Sequence, residues 1–330
     1  MSEKIKILML GDSRSGKTCF MVGMYTAIQD SSTFSLKATD PDEGIRLTLL
    51  WSAIVDGTGD ERWPPTADQN TIYNFELCYA YKPLIDFEWL DYRGSSMLDL
   101  SSDDNVRELR DYAAESNGFF FCISGKYLKD PVTDANLQKI AIQSKANLMG
   151  KYLQYLSIDR RPARKKSFPI IIIVTQYDYC YRREKRELME DVKKMFPPLF
   201  APNSGWLVMI CPITLGKELA QDKDNGKIEP KNLDVPVAFV LYCILAEQAR
   251  SQQQEVRKIE DQLDILESSN LIKKWINRAE IRALDRKLKK ADIQLKKTIQ
   301  MIKILEQDLS SNLSSTDIYL SGKKIKIDLN

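Results

Sequence analysis

The sequence predicts a doubly wound α/β domain with a mostly parallel sheet, followed by a C-terminal α-helical hairpin. Short apolar runs alternate with amphipathic helical stretches along the first 250 residues, which is the pattern of a sheet covered by helices. The run Phe-Pro-Ile-Ile-Ile-Ile-Val-Thr at 168–175 has the Ile/Val content of a parallel strand buried on both faces. Apolar residues then recur at steps of three and four over residues 281–309, which predicts a long helix with a coiled-coil seam.

The composition excludes several classes of protein. The 330 residues carry a net charge of only +2 and 28% charged residues, so the chain has no general attraction to nucleic acid or membranes. Six scattered cysteines without a CxxC pair predict reduced thiols, and no signal peptide is recognised, so we expect a cytoplasmic protein. Histidine is absent, which excludes His-activated nucleophiles and His-ligated zinc.

The most informative motif follows the first apolar run. Gly11-x-x-x-x-Gly16-Lys17-Thr18 matches the phosphate-binding loop pattern in full. The glycines allow consecutive backbone N–H groups to converge on a phosphate. Lys17 can reach the β- and γ-phosphates, and the Thr18 hydroxyl is a hard oxygen ligand for Mg²⁺. We expect the whole loop to contact a nucleotide: Gly11, Asp12, Ser13, Arg14, Ser15, Gly16, Lys17, Thr18 and Cys19.

A second motif lies at the end of a strand predicted over residues 84–90, in Asp91-Tyr92-Arg93-Gly94. A carboxylate in this place can hold Mg²⁺ through water, and the N–H of Gly94 can face a γ-phosphate. The preceding loop contains Trp63-Pro64-Pro65-Thr66. It is either a mobile loop or a loop that lends Thr66 to the metal, and we expect Trp63 to be a packing residue rather than a platform for a ligand.

These residues resemble the nucleotide loops of the Ras-like (TRAFAC-class) P-loop GTPases over residues 4–250. Loop 11–18 matches the first motif of that family, Thr66 resembles its switch I threonine, and residues 91–94 match the DxxG motif of switch II. Thr175-Gln-Tyr-Asp178 is similar to the guanine-recognition loop, and Thr214-Leu215 stands where Ser-Ala would. The Trp-Pro-Pro-Thr segment and the insert before it look most like the bacterial double-GTPase-type members found among conflict and defence systems.

The resemblance implies GTP and GDP as ligands together with Mg²⁺. By matching positions, the residues that act in catalysis would be Lys17, Thr66 and Gly94. The metal ligands would be Thr18, Thr66 and Asp91. The base would be contacted by Thr175, Gln176, Asp178, Thr214 and Leu215.

Three positions depart from the family pattern. Gln176 replaces the lysine whose stem packs on the guanine face, although Asp178 keeps the carboxylate that accepts two guanine N–H groups. Leu215 replaces an alanine that acts through its backbone N–H, which leucine retains. Ser95 stands where a glutamine orients the attacking water, so we expect slow hydrolysis or a residue supplied by a partner.

The sequence divides into a nucleotide-binding domain (1–250), a helical arm (251–312) and a short β-hairpin tail (313–330) about a Ser-Gly turn. Residues 251–270 have a net charge of −3 and residues 271–303 of +8, which favours an antiparallel helical hairpin within one chain. A homodimer through the longer helix is the competing arrangement. The excess positive charge could also meet nucleic acid or an acidic membrane surface, but a solvated face is the commoner outcome.

Taken together, the motifs and the resemblance lead to one hypothesis with two alternatives. The hypothesis is a GTP-binding molecular switch that hydrolyses GTP slowly and signals to a protein partner through residues 251–310. The first alternative is a non-catalytic, GTP-dependent scaffold. The second is a P-loop ATPase, against which Asp178 argues.

Overall fold

The computed structural model describes residues 4–29, 34–65, 70–92, 103–156, 167–268 and 278–326. The strands are β1 (Ile5–Gly11), β2 (Phe34–Ala38), β3 (Thr71–Tyr79), β4 (Lys82–Asp91), β5 (Gly118–Ser124), β6 (Phe168–Thr175), β7 (Trp206–Pro212), β8 (Asp317–Leu320) and β9 (Lys323–Ile325). The helices are α1 (Lys17–Gln29), α2 (Pro41–Asp56), α3 (Asp103–Glu115), α4 (Asp134–Gln143), α5 (Ala146–Met149), α6 (Lys185–Met195), α7 (Val235–Glu267) and α8 (Arg278–Asn312).

Five adjacent parallel strands form the centre of the sheet, whose order is β2-β3-β4-β1-β5-β6-β7-β8-β9. Strand β1 pairs in parallel with both β4 and β5, and the parallel ladder continues through β6 to β7. Because parallel strands enter a sheet in the same direction, the loops after all five strands lie along one edge. The predicted parallel α/β sheet is confirmed.

Antiparallel strands extend this centre on both sides. Strands β3 and β4 pair in the antiparallel direction, with Thr71 opposite Asp91. The edge strand β2 pairs with β3 and was not predicted. At the other edge β8 pairs with β7, and β9 with β8, so the tail contributes two strands to the main sheet.

Apolar side chains cover both faces of the sheet. On one face, the ring of Phe20 from α1 lies 5.8 Å from that of Trp89, which in turn lies 5.0 Å from Phe120. On the other face, the flanking residues of the same strand, Phe119 and Phe121, belong to the buried cluster that includes residues of α3 and α6. This alternation along β5 follows from the two-residue period of a strand and confirms that helices cover both sides.

The chain divides into two compact units, Met1–Val240 with Asn312–Asp328, and Leu241–Ser311 with Leu329–Asn330. In the second unit, Lys287 of α8 lies 3.3 Å from Glu255 of α7. Ile259 and Leu263 of α7 are buried, as are Thr298, Leu305 and Leu309 within the series predicted over residues 281–309. No helix among the described residues is long and apolar enough to cross a membrane.

A buried ion pair fixes the turns that follow β5 and β6. Arg183 lies three residues after the turn Tyr177–Cys180. It donates to the carboxylate of Asp191 at 2.7 Å and to the carbonyl of Leu128 at 3.0 Å. Leu128 ends the turn Gly125–Leu128. The side chains of Arg183 and Asp191 are only 8% and 4% exposed, so the pair excludes water. It therefore holds the two turns side by side.

We predict that Asp191→Asn lowers the free energy of unfolding by about 3 kcal/mol at pH 7, because it leaves the buried Arg183 without its counter-charge. Burial acts to raise the pKa of Asp191, but hydrogen bonds from Lys194, the Val132 N–H and Arg183 outweigh it and lower that pKa. A depressed pKa stabilises the fold above the ordinary aspartate pKa, and this contribution is lost as the pH falls. Denaturant titrations should therefore show that the difference in unfolding free energy between wild type and Asp191→Asn shrinks below about pH 4.

The neighbouring Glu190→Gln is the matched control. Glu190 pairs with Lys193 at 2.9 Å on the surface, with its side chain 54% exposed. Such a pair contributes less than about 1 kcal/mol. Equal losses in the two variants at pH 7 would contradict a structural role for the buried pair.

Candidate nucleotide-binding site

The loop between β1 and α1 has the backbone that its glycines allow. A Cβ on Gly11 would lie 2.7 Å from the carbonyl oxygen of Cys122, so only glycine permits this approach of the loop to β5. Gly16 has φ +81°, a left-handed conformation that other residues adopt at a cost. The next residue, Lys17, begins α1, whose positive dipole end thus borders the loop.

The side chain of Lys17 folds back over this loop. Its Nζ donates to the carbonyl oxygens of Gly11 and Asp12, both at 2.9 Å, and the residue is 8% exposed. An ammonium has three N–H donors, so one remains for a ligand. The loop thus presents a fixed, largely desolvated positive charge.

A buried carboxylate lies close to this charge. Asp91 ends β4 opposite Met9 of β1 and is 4% exposed. Its Oδ1 has no hydrogen-bond partner among the described residues. Burial raises the pKa of Asp91 to about 6, although the charge of Lys17 acts to lower it.

The donor set around Asp91 fits a magnesium ion. Mg²⁺ prefers hard oxygen ligands, and the Asp91 carboxylate and Thr18 line the same part of the cleft. A buried oxygen without a partner is costly, and a cation would provide one. These two residues could therefore hold the metal.

The loop residues and Asp91 line one half of a cleft, which we call the phosphate half. Four cationic residues and one carboxylate are among its lining residues. The lining consists of Ser13, Arg14, Ser15, Gly16, Lys17, Thr18, Cys19, Trp63, Pro64, Pro65, Asp91, Tyr92, Lys126, Gln176 and Lys223. This excess of positive charge favours an anionic ligand.

The other half, which we call the base half, lies at the ends of β6 and β7. Its carboxylate, Asp178, is 5% exposed, and the hydroxyl of Thr214 donates to its Oδ1 at 3.5 Å. The Tyr177 N–H donates to the carbonyl of Ile213 at 3.1 Å, which joins the loops after the two strands. Leu215 also lines this half.

Burial raises the pKa of Asp178, while its own backbone N–H, Thr214 and Lys126 oppose the shift. A carboxylate in such a place can accept two parallel N–H groups from a planar ligand.

The two halves lie side by side and share lining residues. Six residues border both: Gly16, Cys19, Trp63, Lys126, Gln176 and Lys223. A single elongated ligand can therefore have an anionic end near Lys17 and a hydrogen-bonding edge near Asp178.

A buried arginine positions Trp63 beside the cleft. Arg62 is 3% exposed and donates to the carbonyl oxygens of Ile54 at 2.7 Å and Asp224 at 3.2 Å. Its guanidinium lies 5.5 Å from the ring centroid of Trp63. The turn Gly59–Arg62 is thereby tied to the segment after β7.

The structure brings most of the predicted site residues to this cleft. Gly11 and Asp12 contribute carbonyl oxygens to Lys17, and the remaining members of loop 13–19 line the cleft. Asp91 and the residues predicted to contact a base, namely Thr175, Gln176, Asp178, Thr214 and Leu215, line it as well. Thr66 and Gly94 lie outside the described residues, as does Ser95.

Sequence reasoning missed several lining residues. Trp63, which the sequence predicts to be a packing residue, also borders both halves of the cleft. Lys126, Tyr179 and Lys223 also line it and carry no motif. Only the location of Lys126 and Tyr179 just after apolar runs, which form β5 and β6, could have indicated them, because loops at the carboxyl ends of parallel strands form ligand sites.

No family model matches the chain, and no curated protein matches it either. Among solved structures, the chain is similar to the crystal structure of an NFeoB variant from S. thermophilus bound to GDP·AlF4⁻. The identity is 13% and the TM-score 0.32, over 91% of this chain and 99% of that one. A likeness this weak assigns neither a family nor a function.

Proposed function

We propose that the protein binds guanine nucleotides with Mg²⁺ and acts as a GTP-dependent molecular switch. One observation carries the proposal. A single cleft has the phosphate-binding loop with its desolvated Lys17 in one half and the buried Asp178 carboxylate in the other. Nucleoside di- and triphosphates have the matching chemistry, an anionic chain joined to a planar hydrogen-bonding base.

In the phosphate half, Lys17 would neutralise the β- and γ-phosphates, aided by the N-terminal end of α1. Thr18 and Asp91 would hold Mg²⁺, together with Thr66. When bound, the metal would offset negative charge on the phosphate oxygens. The remaining N–H groups of loop 11–18 would surround the phosphates.

In the base half, Asp178 would accept the N1–H and N2–H groups of guanine. Adenine presents an unprotonated N1 in that position, which would face the carboxylate with lone pair against lone pair. Polar mismatches of this kind discriminate strongly because a buried group is left unpaired. Guanine is therefore the base that this pocket favours.

The same site would hydrolyse GTP slowly, since Ser95 stands where the glutamine of the family would orient water. Two alternatives remain distinct from this proposal. In a non-catalytic scaffold, GTP would copurify intact with the protein. In a P-loop ATPase, adenine nucleotide would be found instead. Identifying the copurified nucleotide and its number of phosphates separates the three.

We also propose that residues 251–310 form an arm that binds a protein partner. Exposed isoleucines on these helices support this proposal, because Ile265 is 70% and Ile293 57% exposed among charged neighbours. Apolar side chains rimmed by charge are typical of protein contact surfaces.

Lys17→Ala should abolish nucleotide-dependent stabilisation, because it removes the desolvated charge that opposes the phosphates. A ligand at 100 times its dissociation constant stabilises a protein by about 2.7 kcal/mol, so the loss is measurable as a melting shift with Mg-GTP. Lys139→Ala, at an exposed position of α4, is the control and should respond as wild type does. An unchanged response of Lys17→Ala would rule out the loop as a phosphate site.

Asp178→Asn should weaken guanine binding by at least about tenfold, because the amide replaces one acceptor with a donor. Xanthine presents an acceptor at that edge, so XTP should gain affinity relative to GTP. Competition titrations with GTP, XTP and ATP measure both changes. Equal wild-type affinities for ATP and GTP would instead favour the ATPase.

If the arm responds to the nucleotide, amide hydrogen exchange over residues 251–310 should differ between GDP and a non-hydrolysable GTP analogue. A ligand shifts a conformational equilibrium only by its differential affinity for the two states. Thr66→Ala should remove the difference, because the γ-phosphate would no longer be sensed. Differences confined to residues 57–105 would mean that the arm is a passive docking platform.

A further inference from the structure

The residue expected to stack on the base is replaced in this chain. Gln176 stands where the family pattern has a lysine, and it takes a left-handed backbone conformation with φ 49°. Its side-chain carbonyl accepts a hydrogen bond from the hydroxyl of Ser124, at the end of the neighbouring strand. An amide fixed in this way provides no long aliphatic stem over a ligand.

A lysine from another loop reaches the same place. Lys126 follows β5 within the turn Gly125–Leu128 and lines both the phosphate half and the base half. Its ammonium lies 5.3 Å from the ring centroid of Tyr179, which itself lines the base half. Its charge also acts to lower the pKa of Asp178, which lines the base half as well.

Close packing of two turns directs Lys126 there. A Cβ on Gly125 would lie 2.5 Å from the carbonyl oxygen of Gln176, so the absence of a side chain lets the turns touch. The thiol of Cys180 lies 3.2 Å from the carbonyl of Gly125, and Arg183 bonds to the end of the same turn at Leu128. The position of Lys126 is thus set by buried contacts on both sides.

The side chain of Lys126 is itself exposed. No carboxylate lies within ion-pair distance of its ammonium among the described residues. The stem can therefore settle on a ligand without first breaking a salt bridge.

We propose that Lys126 is a base-binding residue whose aliphatic stem packs on the face of the bound guanine, in place of a lysine at position 176. The inference rests on the proposed function, because it requires a nucleotide in the cleft. It assigns to the loop after β5 a contact that the motif after β6 lacks. It would allow a site with glutamine at 176 to keep an apolar contact with the base.

The test is isothermal titration of the full chain with GDP and, separately, with inorganic tripolyphosphate, which has no base. Lys126→Ala should weaken GDP binding about fivefold to tenfold, since it removes the apolar contact with the base. Its affinity for tripolyphosphate should fall by much less than its affinity for GDP, because only the long-range effect of one positive charge is lost. Lys126→Met keeps a stem of similar length and should retain most of the GDP affinity.

Lys129→Ala is the matched control, since Lys129 is exposed, follows the same turn and does not line the cleft. Melting without nucleotide should show that the Lys126 variants fold as wild type does, as expected at an exposed position. An unchanged GDP affinity in Lys126→Ala would overturn the inference. An equal loss for GDP and tripolyphosphate would overturn it too, because Lys126 would then be a phosphate ligand. So would a loss in Lys126→Met as large as that in Lys126→Ala.

The same titrations distinguish failure of this inference from failure of the proposed function. Wild type that binds no guanine nucleotide overturns the proposed function, and the inference with it. Wild type that binds GDP while Lys126→Ala does so equally well overturns the inference alone.

Discussion

The parallel hydrogen bonding of the five central strands is the constraint on which the site depends. Strands β4, β1, β5, β6 and β7 run in one direction, so their carboxyl ends lie along one edge of the sheet. Loops far apart in sequence therefore meet there, including the phosphate-binding loop, Asp91 and the turn containing Asp178. Ligand sites of open parallel sheets lie outside this edge because the crossover helices cover both faces.

Charged side chains become buried where these loops meet, and their burial lowers the stability of the free protein. Lys17, Asp91 and Asp178 are each less than a tenth exposed, and burial raises the pKa of both carboxyl groups. Charged groups without full solvation or partners destabilise the free protein. A ligand with phosphates, a metal ion and a polar base edge would supply those partners. Binding and folding stability should therefore be strongly coupled at this edge.

Contacts between loops position side chains that the strand ends alone do not bring to the cleft. The Arg183–Asp191 pair and the close approach at Gly125 place Lys126 in the cleft. Arg62 places Trp63 through carbonyl groups more than 160 residues away in the sequence. Both arginines act inside the protein, where their fixed, planar donors can join several loops at once. The shape of the cleft where its two halves meet depends on these contacts of Arg183 and Arg62.

The sequence by itself determined the features that have a local cause. Three features depend on neighbours along the chain: the spacing of Gly11, Gly16 and Lys17, the apolar run of β6 and the helical periodicity of α8. The sheet class and the gathering of the motif residues followed from them, while the functional roles of those residues stay predictions. Only the tertiary structure decided that β2, β8 and β9 extend the sheet, because edge pairing depends on distant partners. It alone brought Lys126 and Trp63 to the cleft, since contacts between loops leave no spacing in the sequence.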